Sequence, residues 1–288
     1  MDEGILAVDV GATKLAAALV TQKGVVEKKS SIPTEANDGE ELFNNLLILC
    51  QEILDGVKVE GCGVGSAGPM SHNGEEISPL NIPQWRNFPL RSKLSERLGL
   101  PVALDNDAKA VALGEGWVGA ASKERNYLAM MVSTGIGGGL VLDGRLLDGA
   151  DGNAGHIGHI TVDEDGPKCD CGSYGCLEAV ASGRSIEKET GLPPSEAPEE
   201  VIMKSGFFVG KAISMVVNLL NIDLVLIGGS VAFGFGEPFL SEVRSTAESF
   251  CGLSFTKDLK IDFASLREDA PLVGAAAVWQ DSKEKSPS

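Results

Sequence analysis

A pattern of apolar strand, glycine-containing turn and apolar strand occurs twice in this sequence. The first copy occupies residues 5–10, 11–13 and 15–20, and the second occupies residues 127–132, 133–139 and 140–142. Two apolar runs that flank a short polar turn predict a β-hairpin. The recurrence predicts duplicated halves of the molecule that face each other across a cleft.

The length and composition fit an α/β protein with two lobes. A chain of 288 residues suits one large domain or two lobes, and its 36 glycines allow many tight turns. Apolar residues three and four positions apart predict a core-facing helix over residues 40–54. Further helices are predicted at 108–117, 206–220 and 270–279, and further strands at 61–68, 102–104 and 224–227.

The charge of the chain limits its partners. The formal net charge is −17, whereas nonspecific binding to nucleic acid or to an anionic membrane requires a surplus of lysine and arginine. The first apolar run is short and lacks a cationic leader, so it predicts neither a signal peptide nor a membrane span. We therefore expect a cytoplasmic protein whose cysteines stay reduced and, where clustered, bind metal.

The turn of the first hairpin carries the motif DVGATK at residues 9–14. Gly11 lets backbone N–H groups approach a phosphate closely, and Thr13 and Lys14 can donate to its oxygens. Asp9 is placed to hold a magnesium ion, directly or through water. The motif is not a Walker loop, because the pattern GxxxxGK[ST] is absent. The alternative interpretation is an ordinary hairpin turn with a solvated lysine.

The second glycine-rich turn offers Thr134 and Gly135 as donors to a transferring phosphate. A dinucleotide-binding fingerprint requires a helix after such a turn, whereas the residues here predict a strand, so that class is excluded. Gly228 and Gly229 follow a buried strand and can let an adenosine lie close to the backbone. A plain strand-to-helix turn is the alternative interpretation of those two glycines.

Asn106 and Asp107 follow a short strand at the predicted cleft. A sugar hydroxyl is a poor nucleophile until a base accepts its proton, and a carboxylate within hydrogen-bond reach can serve as that base. Asp107 is therefore a candidate general base. The alternative is a purely structural helix cap, because aspartate is common at that position.

The densest cluster of metal-binding residue types lies between residues 155 and 178. It contains His156 and His159, followed by Cys169, Cys171 and Cys176. Three thiolates and one imidazole make a tetrahedral Cys₃His set in which the protein fills every position, as in a structural zinc site. The alternative is a group of buried free thiols beside an unrelated histidine.

Together these motifs resemble the ROK family of bacterial and archaeal sugar kinases. The resemblance is carried, in order, by ILAVDVGATKLAAALV, GVGSAGPM, SPLNIPQWRNFPL, LDNDAKAVALGEG, VSTGIGGGLVLDG, GNAGHIGHITVDEDGPKCDCGSYGCLEAVASG, VLIGGSV and PLVGAAAVW. It implies a two-lobed actin/hexokinase-like (ribonuclease H-like) ATPase fold with central mixed sheets and a cleft between the lobes. The implied parts are an N-terminal lobe (1–108) with helix 270–282 packed back on it, a C-terminal lobe (109–269) with a zinc loop (155–178), and a frayed tail (283–288).

The resemblance also implies roles for individual residues. Asp107 would be the base, and the sugar contacts would be Gly68, Asn106, Asp107, His156, His159 and Glu178. The zinc ligands would be His159, Cys169, Cys171 and Cys176. ATP, with Mg²⁺, would be held by Asp9, Gly11, Thr13 and Lys14, by Thr134 and Gly135, and by Gly228 and Gly229.

His156 departs from the pattern of the family's glucokinases, which usually carry glutamate in GExGH. The bacterial N-acetylmannosamine kinases are similar to this chain in carrying GHIGH and the adjoining DGPxCxCG and ASGR runs. Because histidine can donate as well as accept hydrogen bonds, the C1 and C2 substituents of the sugar would be held differently. Glucose and N-acetylmannosamine both remain open, with fructose and N-acetylglucosamine as alternative substrates.

The leading prediction is an ATP-dependent kinase that phosphorylates the 6-hydroxyl of a hexose. Two other classes are a sugar-responsive transcriptional repressor and a non-catalytic zinc protein. The family's repressors carry an N-terminal DNA-binding helical region, whereas here the first phosphate segment begins at Ile5. The acidic charge also disfavours DNA binding. The resemblance further predicts a homodimer.

Overall fold

The computed structural model describes residues 3–71 and 74–285 of the chain. Its contacts define two compact units. Unit 1 comprises Met1–Ser122, Leu147–Ala154 and Glu268–Ser288, and unit 2 comprises Lys123–Leu146 and Gly155–Arg267. The helix that starts at residue 107 therefore belongs with unit 1, where it packs on the last helix of the chain. Among the described residues, no helix is long and apolar enough to cross a membrane.

Unit 1 is built on a mixed sheet of five strands. These are β1 (Gly4–Val10), β2 (Lys14–Val20), β3 (Val26–Pro33), β4 (Val59–Ser66) and β5 (Val102–Asn106). The strand order is β3-β2-β1-β4-β5. β1 and β2 form the predicted antiparallel hairpin, and β1, β4 and β5 run parallel to one another. The C-terminal ends of these three parallel strands therefore meet at one edge of the sheet.

Helices cover both faces of this sheet. They are α1 (Gly39–Leu54), α2 (Leu90–Leu98), α3 (Asp107–Trp117) and, at the end of the chain, α8 (Ala270–Lys285). The alternation of β1 directs Leu6 and Val8 into the core shared with α1, and Ile5 and Ala7 toward α8. The predicted apolar stripe of α1 is confirmed, because its buried residues include Leu42, Leu46, Leu49 and Ile53.

The closing helix α8 approaches the sheet of unit 1 very closely. A Cβ atom placed on Gly63 of β4 would lie 1.9 Å from the carbonyl oxygen of Ala275, so only glycine fits there. The helix starts at the predicted residue but extends to Lys285. Residues 286–288 of the predicted tail lie outside the described residues.

Unit 2 repeats this plan. Its strands are β6 (Tyr127–Val132), β7 (Ile136–Leu142), β8 (Arg145–Leu146), β9 (Leu224–Gly228) and β10 (Lys260–Phe263), in the order β10-β9-β6-β7-β8. Its helices are α4 (Leu177–Ala181), α5 (Gly183–Thr190), α6 (Glu199–Leu220) and α7 (Ser230–Phe250). As in unit 1, the first strand pairs antiparallel with its hairpin partner and parallel with a later strand. The predicted α/β class with two mixed sheets is confirmed.

Candidate active site and metal centre

The sequence-predicted residues of unit 1 lie at the edge where the three parallel strands end. Val10 of β1 pairs with Ser66 of β4, and Ser66 pairs with Asn106 of β5. The chain segments that follow these strand ends carry the first glycine turn, Gly68 and Asp107. Ligands of open α/β sheets bind outside the carboxyl ends of the strands, so this edge is a candidate site.

The first glycine turn is tight and ordered by hydrogen bonds. The N–H of Gly11 donates to the carbonyl of Lys14 at 3.1 Å, and the hydroxyl of Thr34 donates to the carbonyl of Gly11 at 2.8 Å. The side chains of Thr13 and Lys14 are exposed. The turn can therefore offer a hydroxyl and an ammonium group to an anionic ligand.

Two carboxylates, those of Asp9 and Asp107, belong to this edge of the sheet. Asp9 is only 9% exposed. Burial raises the pKa of Asp9 to about 7, and repulsion from the Asp107 carboxylate adds to this rise while the attraction of Lys14 opposes it. A divalent cation relieves both the burial cost and the repulsion of such a pair. The arrangement is thus suited to hold a hard metal ion beside a phosphate.

The structure corrects the predicted cap of α3. Asn106, not Asp107, is the N-cap, because its backbone is extended and its Oδ1 accepts the N–H groups of Ala108 and Lys109. Asp107 is the first helical residue and is half-buried, and its Oδ1 accepts the N–H of Ala108 at 2.8 Å. The positive end of the helix dipole favours a negative charge on this side chain.

The second glycine turn and Glu178 lie together in unit 2. Oε2 of Glu178 accepts the backbone N–H of Ile136 at 2.8 Å. A Cβ atom on Gly135 would lie 2.6 Å from the same oxygen, so the lack of a side chain at Gly135 leaves room for the Glu178 carboxylate. Thr134, Gly135 and Glu178 are therefore neighbours, although they are far apart in sequence.

Gly228 and Gly229, which were predicted to lie against an adenosine, are beside this turn. Gly229 has a φ of 102°, and a Cβ atom there would lie 2.3 Å from the carbonyl oxygen of Val132, the last residue of β6. The hydroxyls of Ser133 and Ser230 are 2.9 Å apart. A cavity of about 240 Å³ opens here, and its lining residues are Thr134, Gly183, Arg184, Glu187, Pro194, Ser230 and Val231.

Arg184 is a candidate functional residue that the sequence-based assignment of roles missed. Its backbone N–H donates to the carbonyl of Thr134 at 3.2 Å, and its guanidinium donates to Asp170 at 3.4 Å. It brings a cation to the cavity next to the second glycine turn. The ASGR run that contains Arg184 was noted in the sequence. Its contact with Thr134 could not be predicted, because the two residues are distant in sequence and no local pattern relates them.

The metal cluster contains His159, Cys169, Cys171 and Cys176, as predicted, and its ligand atoms all lie within 4.8 Å of one another. The Sγ atoms of Cys171 and Cys176 are 3.7 Å apart. Two sulfurs bound tetrahedrally at ~2.3 Å from one ion would be separated by ~3.8 Å, so the geometry fits a metal ion. Burial raises the pKa of Cys176 to about 12, and a bound cation would reverse this effect.

The structure also distinguishes the two histidines. Nδ1 of His159 lies 3.7 Å from Sγ of Cys169 and belongs to the cluster. His156 is exposed, and its ring centroid lies 6.1 Å from that of His159 with the two planes 21° apart. His156 therefore remains accessible to a ligand beside the metal cluster.

Comparison with known proteins shows the family. The family model described as "ROK family" matches residues 5–282, so this chain belongs to the ROK family. Over 309 residues it is 31% identical to the glucokinase of Thermotoga maritima, covering 96% of this chain and 97% of that protein. Over 294 residues it is 34% identical to the N-acetylmannosamine kinase of Citrobacter koseri, covering 96% and 99%.

A solved structure supports the same conclusion. The ROK family glucokinase from Streptomyces griseus, in complex with glucose and AMPPNP, matches with a TM-score of 0.83 and 28% identity over 95% of this chain and 98% of that one. The predicted actin/hexokinase-like fold is thereby confirmed, as is the predicted class of ATP-dependent sugar kinase. The kinase interpretation is better supported than a regulatory one.

Proposed function

We propose that this protein transfers the γ-phosphate of ATP to the 6-hydroxyl of a hexose, with Asp107 as the general base. The proposal rests on the position of Asp9 and Asp107 at the carboxyl edge of three parallel strands, where burial and, second, repulsion from Asp107 raise the pKa of Asp9. A base and a cation-binding carboxylate side by side are what phosphoryl transfer to an alcohol requires.

The phosphate groups have candidate partners in each unit. In unit 1 they are Asp9, Gly11, Thr13 and Lys14, and in unit 2 they are Thr134 and Gly135, with Gly228 and Gly229 for the adenosine. A magnesium ion held by Asp9 would neutralise charge on the phosphates. Backbone N–H groups, the Thr13 hydroxyl and the Lys14 ammonium orient the phosphates, so that this acidic chain binds its anionic substrate locally.

The proposed sugar contacts are Gly68, Asn106, Asp107, His156, His159 and Glu178. Asp107 accepts the proton of the attacking hydroxyl, while Asn106 and Glu178 offer hydrogen bonds to other hydroxyls. His156 would face the C1 and C2 substituents, which keeps glucose and N-acetylmannosamine as the leading substrates. Two relatives named for these sugars, at 31% and 34% identity, support this pair equally.

The metal cluster is proposed to bind a structural zinc ion through His159, Cys169, Cys171 and Cys176. Zinc bound there would stiffen the loop, because all four positions are filled by protein and none is open for catalysis. The loop leads directly into Glu178 and begins beside His156, so its order supports both sugar contacts. We also propose a cytoplasmic location and a homodimer, as the family resemblance suggests.

The test is ATP consumption by the purified protein with a panel of sugars. The panel contains glucose, N-acetylmannosamine, N-acetylglucosamine, mannose and fructose, with a reaction lacking sugar as the control. We expect sugar-dependent turnover and a product that carries phosphate at C6 by phosphorus NMR. No turnover with any sugar, together with DNA binding in a mobility-shift assay at physiological salt, would instead support a regulator.

A further inference from the structure

Lys109 is a fully buried ammonium group in the first turn of α3. Its side chain is 1% exposed. Nζ lies 2.8 Å from Oδ1 of Asp105, 2.8 Å from Oδ1 of Asp148 and 3.0 Å from the carbonyl oxygen of Gly152. An ammonium group has three hydrogens to donate, so these three acceptors satisfy it completely. A lysine buried to this degree is rare unless it is paired.

The first partner links Lys109 to a proposed sugar contact. Oδ1 of Asp105 accepts both the Lys109 ammonium and, at 2.7 Å, the backbone N–H of Asn106. Oδ1 of Asn106 in turn caps the helix that begins with Asp107. The charge of Lys109 therefore holds the carboxylate that orients the strand-to-helix junction.

The second partner lies in the segment Leu147–Ala154, which belongs to unit 1 although its sequence neighbours on both sides belong to unit 2. Asp148 of this segment also accepts Lys285 of α8 at 3.0 Å. Burial alone would raise the pKa of Asp148, but the hydrogen bonds and positive charges of Lys109 and Lys285 lower it below its usual value. Asp148 is thus held as a carboxylate by two cations from different helices.

The same segment supports the loop that contains Gly68. Nδ2 of Asn153 donates to the carbonyl of Met70 at 3.1 Å, and Oδ1 of Asn153 accepts the N–H of Met70 at 3.4 Å. Met70 lies two residues after Gly68. Lys109 binds Asp148 and Gly152 and thereby fixes the segment Leu147–Ala154. This segment in turn holds the loop that contains Gly68, the second proposed sugar contact.

We propose that Lys109 is a positioning residue for the sugar: its buried ammonium ties the Asn106–Asp107 junction to the segment that supports the Gly68 loop. The proposal rests on the proposed kinase function. The ammonium of Lys109 binds Asp105, Asp148 and the carbonyl of Gly152, so Lys109 acts through these groups and not on the reacting atoms. It sets the relative positions of two sugar-contacting elements of unit 1, so its loss affects the sugar more than the nucleotide.

Lys109→Met tests the proposal, because methionine keeps the length of the side chain and removes its charge. We expect the KM for the sugar to rise ~10-fold or more and kcat to fall, while the KM for ATP changes less than ~2-fold. Lys283→Met is the matched control, since Lys283 forms an exposed ion pair with Glu60 on the same unit. Exposed pairs contribute little, so its kinetics should match the wild type.

The double variant Lys109→Met/Asp105→Asn separates positioning from stability. In Lys109→Met the largely buried carboxylate of Asp105 loses its ammonium partner, whereas Asp148 keeps Lys285. We expect the double variant to regain urea resistance relative to Lys109→Met without regaining the wild-type KM for the sugar. A sugar KM that is unchanged in Lys109→Met, or that recovers together with urea resistance, would overturn the proposal. A wild-type enzyme that phosphorylates no sugar would overturn the proposed function itself, and this proposal with it.

Discussion

The carboxylate of Glu178 accepts the backbone N–H of Ile136 at 2.8 Å, directly beside Gly135. One oxygen therefore holds the second glycine turn, while the carboxylate as a whole is a proposed sugar contact. Glu178→Ala removes both roles, and we expect a ~10-fold or larger loss of kcat/KM for the sugar. Glu178→Gln keeps an acceptor for Ile136, so its KM for ATP should stay near the wild-type value. Equal effects of both variants on ATP would contradict this division of roles.

The metal cluster can be tested at Cys171, which is exposed, so its replacement leaves no cavity in the core. Cys171→Ser should reduce the zinc content from about one ion per chain and lower the free energy of unfolding, because a ligand is lost. Zinc is measured by atomic emission and stability by urea unfolding. Cys251→Ser is the control, since Cys251 lies outside the cluster. A Cys171→Ser protein with full zinc content would refute the assignment.

The pKa of Asp9 makes stability depend on pH. Burial raises this pKa to about 7 in the folded protein, far above its value in the unfolded chain. The folded state therefore binds the proton more tightly, and the stabilisation by this proton is complete below the unfolded pKa and is lost as the pH rises to about 7. Asparagine cannot ionise, so in the absence of magnesium Asp9→Asn should become more stable than the wild type as the pH rises from the unfolded pKa to about 7. The difference in the free energy of unfolding should reach up to ~4 kcal/mol and stay constant at higher pH.

Urea unfolding of both proteins between pH 4 and pH 8.5 measures this difference. Addition of magnesium and a nucleotide should stabilise the wild type and so reduce this difference in the free energy of unfolding, because the cation offsets the burial of the Asp9 carboxylate. The Asp9→Asn protein should also lose most of its turnover. A difference in stability that is constant across the pH range would show that Asp9 ionises normally.

The proposed nucleotide contacts of unit 2 can be tested at Arg184. Arg184 lines the cavity that Thr134 and Ser230 also line, and half of its side chain is exposed. Arg184→Met should raise the KM for ATP ~10-fold, because a charge-assisted contact is lost, and should leave the KM for the sugar unchanged. Lys188→Met, on the same helix but outside the cavity lining, is the control. An unchanged KM for ATP would remove Arg184 from the site.

The sequence predicted those parts of the molecule that local patterns encode. Hairpins, the apolar stripe of α1 and the spacing of the cysteines follow from periodicity and turn chemistry over short stretches. Helix α6 was predicted from residue 206 but starts at Glu199. Gly206 lies inside this helix and allows close packing, because a Cβ atom there would lie 2.9 Å from Cβ of Glu242 on α7.

The remaining features depend on contacts between distant residues. Lys109 and Asp148 are 39 positions apart, and neither residue alone indicates a buried ion pair. Asn106 and Asp107 have similar preferences for a helix cap, so only the backbone conformation decides between them. The contact between Arg184 and Thr134 is likewise created by the fold. The ion pair and this last contact require residues from separate parts of the chain to meet within one unit, which local sequence patterns do not encode.

Asp107 is proposed to act as the general base, and the kcat of the Asp107→Asn variant is the sharpest test of that role. The variant is compared with wild type and with Asp258→Asn, an exposed control in unit 2. With saturating ATP and sugar, we predict a ~10²–10⁴-fold lower kcat for Asp107→Asn, and a sugar dissociation constant by calorimetry close to that of the wild type. Near-normal turnover of Asp107→Asn would rule out this role for Asp107.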